Sequence, residues 1–387
     1  MTTSKYGLSW PFTSRDSIAF VDSHFQCILV HSKQSATFSS LTLARPRCTL
    51  FKIMKLSELA SALAVTLENV SGDLDITGVS GIEEAGPSQL TFIANPKYAS
   101  AARTTQAAAV IVAQDFPAEG RPVVRSSNPY LTFARALELF YQPPTYTPGI
   151  HPTAVIHASA KIGAGAHIGP YVTVDENVVI GEGCVLLSHV VIYRGATIGN
   201  NFFAHAHAIV REYCRLGDGV VLQNGVIIGA DGFGFARDGA RWHKIVQSGV
   251  TVLEDNVEVQ ANACVDRASI GETHISNGAR IDNLVQVGHG CTVGENTMLC
   301  SQAGLAGSTK VGKDVILAGQ VGAAGHLTIG DGAIATAQTG IPHDVAPNTM
   351  VSGYPAIDNK QWLRAVAVFN RLPEIAKALR RLEREKE

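Results

Sequence analysis

The chain has 387 residues, 31 Lys and Arg against 33 Asp and Glu, and a formal net charge of −2. That balance supplies no basic field for nucleic acid, and no apolar run reaches the roughly 18 residues of a membrane span. Only 7% of residues are aromatic while 37 are glycine, which suits a thin, repetitive core without room for large rings.

Residues 1–53 are rich in Ser and Thr and carry six Lys or Arg against two Asp. They read as an extension outside the fold, disordered or upstream of a native start at Met54. A transit peptide, basic and Ser-rich, is the alternative. Residues 54–149 read as a small α/β domain. MKLSELASALAVTLE opens it as a helix, with Leu56, Leu59 and Leu63 at helical spacing. LDITGVSGI, QLTFIAN, AAAVIVA and RPVVRS read as strands, and NPYLTFARALELFY as a closing helix. QPPTYTPG, with three prolines and a glycine, is a linker.

From Ile150 to Gly232 an aliphatic or small residue returns at every sixth position, for fourteen hexads. A hexapeptide period predicts a parallel β-helix, in which a short strand points an aliphatic residue inward and small or polar residues turn the corner. Three hexads close one triangular coil, so residues eighteen apart stack in a column. The register breaks over 231–249, DGFGFARDGARWHKIVQSG, whose aromatics and charges predict a looped-out binding surface. Hexads resume at Leu253, take four extra residues around 269–274, and run from Ile275 through Ala335. The β-helix domain so defined spans 150–348, with about nine coils and a length on the order of 45 Å. Pro342, Pro347 and Pro355 end it. Residues 355–387 read as two C-terminal helices. Leu372, Ile375, Ala376, Leu379 and Leu382 form a stripe that needs a partner, and self-association about a three-fold axis is the simplest. The seven cysteines (Cys27, Cys48, Cys184, Cys214, Cys264, Cys291, Cys300) are odd in number and form no C-x-x-C pair, so they read as reduced.

Among thirteen histidines, context singles out His289. It is third in its hexad, between two glycines, and Gly307 and Gly325 follow it at eighteen-residue steps. His326 comes next after Gly325. An imidazole followed by positions without side chains lets a substrate approach the backbone, as a general base beside backbone N–H donors requires. His189 and His207 also stack eighteen apart, with His205 nearby. No cluster of Cys or carboxylates completes a metal site there, so they read as a surface ladder and no metal is assigned. In FIANPKY, Phe92, Asn95 and Tyr98 offer two rings and an amide for a nucleobase. Taken alone, the same stretch reads more simply as a strand end with an Asn-Pro turn.

FIANPKY, the looped-out GADGFGF with HKIVQSG downstream, the VDR at Val265–Arg267 and IDNLVQVGHG at Ile281–Gly290 together resemble the UDP-3-O-(3-hydroxyacyl)glucosamine N-acyltransferases of lipid A biosynthesis. The resemblance covers residues 54–387. It implies a mainly β fold, a left-handed parallel β-helix between a uridine-binding α/β domain and C-terminal helices. It implies a cytoplasmic homotrimer with sites between neighbouring prisms. The implied reaction moves a 3-hydroxyacyl chain from acyl carrier protein to the 2-amine of UDP-3-O-acyl-glucosamine. No cofactor is implied beyond the carrier's own phosphopantetheine. By motif, His289 is the base, Gly307 the oxyanion-stabilising amide and His326 a second active-site histidine, while Phe92, Asn95 and Tyr98 bind uridine. Asp282, one face before His289, is a candidate to orient the substrate or the pantetheine arm. Arg364, Arg371, Lys377, Arg380, Arg381 and Arg384 are candidates to meet the acidic carrier, although Glu–Arg pairs on a solvated face explain them equally. The alternative is another hexapeptide-repeat sugar O- or N-acyltransferase, against which the separate first domain argues. An ice-binding or scaffold β-helix would show flat Thr-x-Thr columns, and the outward positions here are irregular.

Overall fold

The structure is a computed structural model describing residues 52–98, 100–353 and 358–385. The extension at 1–53 therefore lies almost wholly outside the described residues, as do Cys27, Cys48 and Pro355. The chain divides into two compact units between Pro143 and Pro144.

The first unit is a five-stranded sheet in the order Thr66–Glu68, Val123–Ser126, Ala109–Ala113, Gln89–Phe92, Gly78–Val79. Only the first pair is antiparallel. The run Ala109–Ala113 sits at the centre because successive side chains face opposite layers. Ala109 and Ile111 pack with Leu56, Leu59, Leu90 and Ala136, whereas Val110 and Val112 pack with Ile93, Ala118 and Val123. Helix α1 (Leu56–Ala62) is shorter than its sequence suggests. Ala64 takes a left-handed conformation, φ 53°, and the following Thr66–Glu68 becomes an edge strand, where β-branched residues are at ease. LDITGVSGI likewise splits, with Asp75–Ile76 pairing with Met54–Lys55 and Gly78–Val79 joining the main sheet. Helix α2 (Pro129–Phe140) starts where Asn128 accepts the Leu131 N–H at 3.1 Å, with a proline in its first turn.

The second unit is a parallel β-helix of three sheets with nine, ten and eleven strands, most of them two residues long. Registers step by eighteen, as in Ile162↔Ile180↔Ile198↔Leu216. There are thus about ten coils rather than nine, since Gly340–Ile341 and Met350–Val351 add strands past the last aliphatic hexad. From Ile168 onward most hexads bury two positions, the first and the fifth, as in Ile180 and Cys184 or Leu186 and Val190. Each such aliphatic side chain contributes about 1.5–3 kcal/mol of burial. The core does admit one large ring. Phe202 is fully buried, and Ala204 and Ala208 at the next inward positions offset its volume.

The corners follow from two requirements. The fourth hexad position is left-handed, with φ of 56° at Asn177, 53° at Asn201 and 69° at Gly183, so Gly and Asn recur there. The third-position N–H points along the prism axis and needs an acceptor. At several corners the next coil provides it. Glu182 N–H donates to Asn200 Oδ1 at 2.9 Å, Ala261 N–H to Asn283 Oδ1 at 3.1 Å and Lys313 N–H to Asp331 Oδ1 at 3.0 Å.

The segment 231–249 leaves the prism as an antiparallel hairpin, Phe235–Asp238 against Arg241–Lys244. The chain re-enters in register, Arg215 pairing with Val252. The extra residues near 269–274 lengthen one strand to Glu272–Ile275, which pairs with Val250–Leu253. Helices α3 (Asn359–Phe369) and α4 (Leu372–Arg384) follow, with no buried residue in either and Leu372, Leu379 and Leu382 about half exposed.

Candidate active site

His289 and Gly307 share one column, because Val287 pairs with Leu305. The imidazole lies flat on the glycine, with Nε2 2.5 Å and Cε1 2.7 Å from where a Cβ on Gly307 would stand. Gly232, at the root of the hairpin, covers the other end of the side chain. A Cβ there would fall 2.5 Å from His289 Cβ and 2.7 Å from Gln247 Oε1. His289 is therefore held between two glycines, and neither position admits a side chain without moving it. Its backbone is fixed as well. Its carbonyl accepts Ser308 N–H at 2.9 Å, and the Gly290 N–H donates to the buried Thr273 hydroxyl at 2.8 Å.

Unlike the N–H groups of Glu182, Ala261 and Lys313, the Gly307 N–H is not capped from the next coil. The residue that would cap it from the next coil is Gly325, which has no side chain, and among the described residues this N–H has no acceptor. Its peptide plane is nonetheless fixed from inside. The carbonyl of that peptide, Ala306 O, accepts the Thr309 hydroxyl at 2.8 Å and the Cys291 thiol at 3.1 Å. Burial pushes Cys291 up to about 11, so it keeps its proton and remains a donor. A fixed, uncapped N–H beside an imidazole is a preorganised donor for a developing negative charge. His326 joins through its own backbone. Its N–H donates to Gly307 O at 3.2 Å, and its φ of 60° leaves the ring exposed.

Asp282 lies one corner earlier, and its oxygens serve turns. Oδ1 accepts the Asn283 N–H at 2.7 Å, and Oδ2 accepts the Ser301 N–H at 2.9 Å. In the first unit, Phe92 ends its strand and stacks on Phe133, with centroids 4.0 Å apart and Tyr130 at 5.7 Å. Asn95 Oδ1 accepts the Lys97 N–H at 3.0 Å, the Asn95 amide N–H group has no partner among the described residues, and Tyr98 is 54% exposed. His189 and His207 stack at 4.9 Å, within 2° of parallel, and Tyr171 continues the ladder at 5.1 Å.

Comparison with known proteins fits this geometry. The profile of the family described as UDP-3-O-(3-hydroxymyristoyl) glucosamine N-acyltransferase, LpxD, matches residues 73–139. A second, the GMPPB C-terminal domain, matches residues 150–272. UDP-3-O-acylglucosamine N-acyltransferase 1 of Koribacter versatilis is 63% identical over 86% of this chain and 99% of its own length. The chain belongs to the UDP-3-O-acylglucosamine N-acyltransferase family. A second relative, UDP-3-O-acylglucosamine N-acyltransferase 2 of Gloeobacter violaceus, is 52% identical over 86% of this chain and 90% of its own. Among solved structures, the Arabidopsis UDP-N-acetylglucosamine acyltransferase is 23% identical with a TM-score of 0.49, over 53% of this chain and 71% of that one. The chain is an acyltransferase, and its mainly β fold built on a parallel β-helix is as expected. Among the described residues no helix is long and apolar enough to cross a membrane.

Sequence reasoning placed two features of this acyltransferase inside quoted motifs without giving them a task. Gly232 of GADGFGF is the lid of the His289 side chain. Asp266 of the VDR is a carboxylate only 8% exposed. A signal for the second was present: it is an acidic residue directly after the inward Val265, eighteen-fold register plus the four-residue insertion placing it level with Gly288.

Proposed function

We propose that this chain transfers a 3-hydroxyacyl group from the phosphopantetheine thiol of acyl carrier protein to the 2-amine of UDP-3-O-acyl-glucosamine. It does so as a cytoplasmic homotrimer without a further cofactor. The observation that carries the chemistry is the uncapped Gly307 N–H beside the His289 imidazole. The amine nitrogen attacks the thioester carbonyl carbon, and the C–N bond forms as the carbonyl electron pair moves onto oxygen. Gly307 N–H donates to that oxyanion, an interaction worth about 2.7–4 kcal/mol in comparable sites. His289 takes the amine proton, a task imidazole suits near neutral pH. The C–S bond then breaks, and the imidazolium returns its proton to the thiolate. A thiol with an ordinary pKa of about 8.5 leaves with little acid assistance, so no acyl-enzyme is needed.

His326 is the second histidine of this site, its amide holding the Gly307 carbonyl. Phe92, Tyr98 and the Asn95 amide group bind the uridine, by stacking and hydrogen bonding. The test is single-turnover transfer from acyl carrier protein to UDP-3-O-acyl-glucosamine, wild type against His289→Ala. The expected result is robust N-acylation by the wild type and a loss of at least about a hundredfold in the variant. Transfer that survives the substitution removes His289 from the role of base. A folded wild type that transfers nothing redirects the reading to other acyl donors or sugar acceptors.

A further inference from the structure

Asp266 is sheltered, 8% exposed, on the coil before His289. Val265 pairs with Val287, so Asp266 stands level with Gly288, the residue before His289. Its Oδ1 accepts the Cys264 thiol at 3.6 Å, and the Gln286 side chain also bonds to it. Burial and the adjacent carboxylate push the Cys264 thiol up to about 12, so it stays a donor.

The neighbouring cations are committed elsewhere. Arg267 turns the other way, donating to Gly229 O at 2.9 Å and pairing with Glu212 at 2.9 Å. Arg211 pairs with Glu212 at 2.8 Å, and Lys244 holds Asp231 at 2.5 Å. Cys291 on the next coil feels the Asp266 charge but stays protonated. Of the two charges that act on Asp266, Asp231 repels it, and only a protonated His289 attracts it.

We propose that Asp266 is a positioning residue of the reaction, a sheltered carboxylate that stabilises the imidazolium formed when His289 takes the amine proton. Asp266 itself receives no proton, and it acts through His289 rather than on the substrate. The inference rests on the reading of His289 as the base. Burial pushes the Asp266 carboxyl up, against the opposing pull of Gln286, Cys264 and the His289 charge. A carboxyl raised on folding contributes stability only below its unfolded pKa and loses it as pH rises through the folded value. At neutral pH the ionised Asp266 is therefore a cost to the fold that catalysis explains.

The test is Asp266→Asn, which keeps the shape and removes the charge, assayed beside His289→Ala. The expected result is a kcat lower by about tenfold, the size of a one-unit charge interaction. KM for both substrates is unchanged, the acidic limb of the pH profile moves to lower pH, and the neutral-pH melting temperature is no lower than that of the wild type. Unchanged kcat overturns the proposal while leaving His289 as base. A variant that melts lower or fails to fold also overturns it, by making Asp266 a structural anchor. Full transfer by His289→Ala overturns both readings together.

Discussion

Replacing Gly307 with alanine puts a methyl group where the His289 imidazole now lies. The new Cβ would stand 2.5 Å from Nε2, 2.7 Å from Cε1 and 3.0 Å from Cδ2. Carbon–nitrogen contacts that close do not persist, so the ring must retreat by about 1 Å, and such a misplacement of a catalytic group costs about a hundredfold. At 1.36 kcal/mol per tenfold, that is about 2.7 kcal/mol on the barrier. The fold should scarcely notice. The imidazole is only half-buried and can swing outward, and the anchors of the Ala306–Gly307 peptide, Thr309 and Cys291, are untouched. The assay is single-turnover acyl transfer at saturating donor and acceptor, with a thermal melt of the same preparation. Gly340→Ala is the control, because nothing lies within 4 Å of the Cβ it would add. The reasoning fails if Gly307→Ala keeps a rate within about threefold of wild type, well short of the expected loss. It fails equally if the loss of rate comes with loss of the fold.

Two further outcomes concern stability. Ile192 is fully buried in the prism core, so Ile192→Ala should cost about 2–5 kcal/mol in denaturant unfolding; a cost below about 1 kcal/mol would mean that the coils collapse around the gap. His274 sits between Glu272, 2.9 Å from Nδ1, and Glu254, 2.8 Å from Nε2. Burial lowers His274, but the hydrogen bonds and charges of the two carboxylates outweigh it, and the net shift is upward. The stability this adds is present below the unfolded histidine pKa and disappears as pH rises through the folded one. Wild type should thus melt above His274→Gln in mildly acidic buffer and level with it in alkaline buffer, and a gap that widens with pH would contradict the clamp.

What the sequence made legible was whatever repeats or sits within a few residues. Eighteen-residue stacking alone brings His289 and Gly307 together, and it marks where the chain must leave the prism. Two errors came from reading one layer at a time. The burial of Phe202 depends on Ala204 and Ala208, a compensation that aromatic content averages away. The end of α1 depends on the backbone of Ala64, which helical spacing of leucines does not register. Gly232 was out of reach for another reason, and Asp266 was in reach only once the four inserted residues are added to the count. Their tasks arise from a hairpin folding back and from an inserted strand segment, both of which shift the simple count of eighteen.

The corner amides also say something about how such a protein acquires chemistry. At the corners of Glu182, Asn200, Asp218, Ala261 and Lys313, an Asn or Asp from the coil beyond closes the third-position N–H. At Gly307 that partner is a glycine, and the donor is left open. On the proposed reading of Gly307, reactivity is made by omission, one storey away from where it is used. A solenoid can therefore gain or silence a donor through a change at a residue that never meets the substrate, and the search for what tunes such a site should begin with its neighbours along the axis.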